Sequence, residues 1–92
     1  MIKTWKNTAT RKFYEDGKSK FSGLDIEAAE DLMDALNAAS ALSDLSPLRS
    51  VHLHALKGSR KDQWAMTING GWRLVFTFKD GDAYDVEITD YH

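Results

Sequence analysis

Cysteine is absent from the 92 residues. That removes any disulfide framework and any thiolate metal site, and it suits a reducing cytosol. Proline occurs once and glycine six times, a composition unlike that of a disordered or low-complexity chain. No apolar run approaches the roughly 20 residues a membrane helix needs. The opening MIKTWKNTATRKF also lacks the apolar stretch of a secretory signal. Missing too are GxGxxG, Walker A, HExxH and GxSxG, so dinucleotide binders, P-loop NTPases, zincins and α/β-hydrolases lose their usual signatures. The expectation is a cytoplasmic protein with no membrane association. What is present agrees: 42% apolar and 28% charged residues is a globular balance, and a chain this short holds one core.

The net charge of −2 conceals a segregated pattern. Residues 1–20 carry six Lys/Arg and two acids, and residues 21–48 carry six acids and no Lys/Arg. Residues 49–79 return to six Lys/Arg against one acid, and residues 80–92 hold five acids. Alternating blocks of this kind allow a basic face and an acidic face on one small domain, and a ligand responds to the local field rather than to the total. A fold that disperses the blocks is the competing reading.

Periodicity divides the chain in two. NTATRKFYEDG reads as a short helix over about 8–16, with Asn7 or Thr8 as cap and the Asp-Gly pair as stop. The stretch FSGLDIEAAEDLMDALNAASALSDLSP sets Leu24, Ala28, Leu32, Leu36 and Ala39 at helical spacing, with Glu27, Glu30, Asp31 and Asp34 on the other faces. Asp25 serves as its cap and Pro47 as its terminator. After Pro47 the period becomes two. VHLHALKG, QWAMTING, WRLVFTFKDGD and AYDVEITDYH alternate apolar with polar residues, and NGG and DGD make the turns. MIKTW is a further short strand candidate. The fold class predicted is α+β: two N-terminal helices packed on one face of a small antiparallel β-sheet, a single domain over 1–92.

Strand parity then sorts the side chains that carry chemistry. Trp72, Leu74, Phe76 and Phe78 share one face, so Arg73 projects from the other. His52 and His54 oppose Val51, Leu53 and Ala55, which puts His54 on the same uncovered face as Arg73. Lys57, Arg60 and Lys61 occupy the following loop, and Asp90-Tyr91-His92 follows the final strand. Each has a plainer reading: Arg73 and the histidines as solvated strand residues, the loop cations as a surface cluster. The acidic helix face reads as solvated or as a docking surface. Trp5, Trp64 and Trp72 read as core rather than as base-stacking platforms. His52 and His54 share a face, but no third ligand stands at a zinc-like spacing, so no metal and no cofactor is expected.

RNA cleavage would unite these residue types. Attack of a ribose 2′-OH on the adjacent phosphorus needs a base for that hydroxyl, an acid for the leaving 5′-oxygen, and fixed positive charge at the phosphorane oxygens. Histidine titrates near neutrality, a carboxylate can orient it, and arginine offers a bidentate fork for phosphate.

On residues Leu53-His54-Ala55-Leu56-Lys57-Gly58-Ser59-Arg60, Trp64, Ile68-Asn69, Trp72-Arg73-Leu74, Phe76 and Asp90-Tyr91-His92, the chain resembles the HigB-type toxins. These are the plasmid-maintenance killer proteins of the RelE/ParE superfamily. The resemblance implies a ribosome-dependent endoribonuclease that cuts mRNA in the A site without a metal, paired with a helix-turn-helix antitoxin of the HigA type. It implies His92 as the leading proton-transfer group, Arg73 as transition-state stabiliser and Lys57 as phosphate neutraliser. His54 and Asp90 would assist, Tyr91 would stack or hydrogen-bond, and Arg60 and Lys61 would bind RNA. Which group is acid and which is base stays open. Two other readings also stand: a ParE-like DNA gyrase poison on the same fold, and a non-catalytic interaction domain that uses the acidic helix.

Overall fold

In the computed structural model, which describes residues 1–45, 53–56, 58 and 62–90, helix α1 (Thr8–Asp16) opens on an Asn7 cap. The Asn7 carboxamide oxygen accepts from the Thr10 backbone N–H at 2.9 Å. The helix stops at Gly17, whose φ of 70° closes the last carbonyls with its own N–H in the left-handed conformation that glycine adopts at no steric cost. Helix α2 (Ile26–Ala38) is capped by Asp25, which accepts from the Ala28 N–H at 3.1 Å. Its buried stripe is Ala29, Leu32, Met33 and Leu36, and Glu27, Glu30, Asp31 and Asp34 face outward.

Here the structure departs from the periodicity. The apolar spacing predicts a helix running on toward Pro47, but α2 ends at Ala38 and a short 3₁₀ turn follows at Leu42–Asp44. Asp44 is the cause. Its Oδ2 accepts from the Ser40 N–H at 2.9 Å, the Ser40 hydroxyl at 3.2 Å and the Ala41 N–H at 3.2 Å. A short polar side chain thus offers the backbone a partner that competes with helix continuation. Those hydrogen bonds to the ionised form hold the Asp44 carboxyl below its ordinary pKa.

The sheet is an antiparallel meander in the order β1 (His54–Ala55), β2 (Gln63–Asn69), β3 (Trp72–Lys79), β4 (Asp82–Asp90). Met66, Leu74, Phe76, Val86 and Ile88 turn toward the helices and join Phe13, Met33, Leu36 and Leu45 in one core. The β3–β4 hairpin closes through Asp80-Gly81, at φ 52° and 83°, the pair of positive angles that a two-residue hairpin turn requires.

One alternation fails. Tyr84 is expected with Val86 and Ile88, but Asp85 adopts φ 52° and a bulge intervenes. The extra residue moves Ala83, fully buried, onto the core face and pairs Tyr84 with Thr77 on the other.

Residues 1–6 run parallel to β4 as a strap. Lys3 N–H donates to the Ala83 carbonyl at 2.8 Å and Lys6 N–H to Val86 at 3.0 Å, while the Ala83 N–H donates to Met1 at 2.9 Å. MIKTW thus contributes two isolated bridges, at Ile2 and Trp5, rather than a full strand. The strap still covers part of an edge that would otherwise present open hydrogen-bonding groups. Behind it the Thr10 hydroxyl, fully buried, donates to Asn7 Oδ1 at 2.8 Å and accepts from the Ile88 N–H at 3.0 Å.

Candidate active site

The register draws rows across the sheet face that the helices leave open. One row runs His54, Ala65, Val75, Glu87 across the four strands; the next, toward the β2–β3 turn, runs Thr67, Arg73, Thr89. His54 and Arg73 both belong to this face, the one away from the helices, as strand parity predicts. They stand two strands and one row apart, roughly 12 Å between Cα atoms at ordinary strand spacing and rise.

Arg73 is held at the turn. Its Nη1 donates to the Gly70 carbonyl at 2.7 Å and to the Trp72 carbonyl at 3.1 Å. Only Nη1 is used among the described residues, which leaves the Nε and Nη2 edge of the fork for an anion. The turn is itself tied down. Asn69 Oδ1 accepts from the Asp25 N–H at 2.9 Å, and Asn69 Nδ2 donates to the Gly23 carbonyl at 3.0 Å. The asparagine that reads in sequence as a turn former thus staples the β2–β3 turn to the start of α2. Arg73 projects from a fixed platform as a result.

Asp90 closes β4 at the same end of the sheet. Its cross-strand partner is Trp72, while Thr89 is the partner of Arg73. By alternation Asp90 belongs to the helix-side face, so it shares an end with Arg73 rather than a face. Lys57, Arg60, Lys61, Tyr91 and His92 lie outside the described residues, as does His52.

Sequence reasoning missed Glu87. It reads there as an ordinary polar residue of an alternating strand, yet it is 8% exposed and stands in line with His54, beside fully buried Ala65 and Val75. Only the register reveals this: a carboxylate is buried on the face away from the helices, one row from Arg73. Among the described residues no group of three or more His, Cys, Asp or Glu forms a set of metal ligands.

The match to known proteins runs the length of the chain. A family model described as "RelE-like toxin of type II toxin-antitoxin system HigB" covers residues 3–92. A protein of Proteus vulgaris named Endoribonuclease HigB is 34% identical over 94 aligned positions, covering all of both chains. Among solved structures, YafQ from E. coli superposes with a TM-score of 0.62 at 18% identity, over 98% of this chain and 91% of that one. A copper-bound mutant toxin from Helicobacter pylori superposes with a TM-score of 0.63 at 21% identity, over 99% and 96%. The structural neighbours share the two-helix, four-strand fold. The family match and the full-length identity go further: this chain belongs to the HigB-like family, the RelE-like toxins of type II toxin–antitoxin systems.

Proposed function

We propose that this toxin is an endoribonuclease that cleaves mRNA in the ribosomal A site and so arrests translation. The observation that carries the reading is the end-to-end identity with a protein named as an endoribonuclease. It is supported by an arginine anchored through one nitrogen on the open face of the sheet, with the rest of its fork unused among the described residues.

The chemistry asks for little else from the scaffold. The ribose 2′-oxygen attacks the adjacent phosphorus, its proton passes to a base, and the 5′-oxygen departs with a proton from an acid. The products are a 2′,3′-cyclic phosphate end and a 5′-hydroxyl end, which together conserve every atom of the substrate. Arg73 faces the equatorial oxygens, where charge concentrates in the transition state; a donor fixed in advance lowers the barrier there without reorganising. His92 is assigned the leading proton transfer, with His54 and Asp90 assisting and Tyr91 holding the nucleotide. Lys57 neutralises phosphate, and Arg60 and Lys61 bind the flanking RNA. The antitoxin partner is a helix-turn-helix protein of the HigA type, and the compartment is the cytoplasm, where translating ribosomes are.

Purified protein added to translating ribosomes should produce in-frame mRNA ends, mapped by primer extension, and His92→Ala should abolish them. Undiminished cutting by that variant removes His92 from its role. Inhibition of gyrase supercoiling with no mRNA ends replaces the whole reading.

A further inference from the structure

Away from the sheet's open face, the molecule has a second basic feature that the cleavage chemistry does not use. After Gly17 the chain doubles back along α1, and a cavity of about 330 Å³ remains between them, lined by Thr8, Ala9, Lys12, Lys18 and Lys20. That volume lies at the small end of ligand-sized sites. Among the described residues no acidic side chain lines it, and none of the three ammonium groups has an ion-pair partner. Three like charges around one hollow repel one another and raise the local potential, an arrangement that a polyanion relieves.

The position of the cleft matters as much as its charge. Phe21 follows Lys20 directly and packs edge-on against Phe13 at 6.1 Å and against Trp72 at 5.4 Å. Trp72 is the cross-strand partner of Asp90 and the chain neighbour of Arg73. One aromatic layer therefore lies between the segment beside the lysine cleft and the end of the sheet that carries Arg73 and Asp90. Thr10, two residues beyond Thr8, bonds β4 at Ile88, so α1 is fixed to the strand that leads into Asp90.

We propose that this cleft binds the phosphate backbone of a single RNA strand, as a continuation of the path that crosses Arg73; the proposal rests on the ribonuclease reading above. The lysines supply movable point charges without base contacts, so they add affinity and register but no sequence preference.

The test is a salt titration of binding to a fluorescent 2′-O-methyl RNA oligonucleotide, which lacks the attacking hydroxyl and stays intact. Replacing the cleft charges together (Lys12→Gln, Lys18→Gln, Lys20→Gln) should reduce the slope of log affinity against log salt by about 2 and weaken binding ~100-fold at about 0.1 M salt. A triple Lys→Arg variant should keep the wild-type slope. All three lysines are exposed, and thermal unfolding checks that each variant folds. An unchanged slope in the glutamine variant overturns the proposal, even where the wild type cuts mRNA. Loss of antitoxin binding with RNA binding intact overturns it also, in favour of an acidic protein segment. Wild-type protein that binds with the full slope but never cuts mRNA refutes the nuclease reading instead and leaves the cleft an RNA site.

Discussion

Arg73 and Thr10 show how single side chains set the site. Arg73 spends one nitrogen on the Gly70 and Trp72 carbonyls, and those bonds orient its plane before any substrate arrives. Lysine in its place would retain charge but not the fork. Arg73→Ala should lower the cleavage rate by about 10²–10³-fold, the usual loss for one transition-state donor. Arg73→Lys should restore RNA affinity while recovering only a small part of the rate; single-turnover cleavage beside RNA binding separates the two. Thr10 acts at a distance from the chemistry. Its buried hydroxyl accepts from Ile88 N–H two residues before Asp90, so Thr10→Val strands a buried donor. That should cost about 1–3 kcal/mol, read as a lower urea midpoint with an unchanged m-value.

At the level of elements, the contrast between α1 and α2 separates what local sequence specifies from what it does not. Asn7, Asp25 and Gly17 announce helix boundaries by their own stereochemistry, and all three stand where such residues belong. The end of α2 carries no comparable sign, because apolar spacing continues through Leu42 and only the folded Asp44 shows why the helix stops. The bulge at Asp85 was illegible for a similar reason: an aspartate at positive φ looks in sequence like any alternating polar residue, and its effect on Tyr84 and Ala83 emerges only through pairing with β3. Parity sufficed to put His54 and Arg73 on one face and Asp90 on the other, whereas the burial of Glu87 needed the register.

The Asp44 turn gives a prediction with a sign. Its folded pKa is depressed, so its contribution to stability is present above the unfolded value and is lost as pH falls through the folded one. Asp44→Asn should flatten that acidic limb, measured as chemical stability against pH.

For the whole molecule, the segregated charge survives folding in part. The lysines of residues 12–20 line their own cleft, and the acids of α2 face outward from the opposite run of sequence. The strap along β4 adds a constraint of another kind. Its bonds join residues some 80 positions apart: Met1 to Gly81 and Thr4 to Asp85. Residues 1–6 are thus held by a strand some 80 positions later in the chain, and such distant pairings are slow to form. Chains halted after residue 79 should expose residues 1–6 to limited proteolysis, and the full chain should protect them. The strap therefore stays loose until β4 has been made and paired, so this part of the scaffold is completed late.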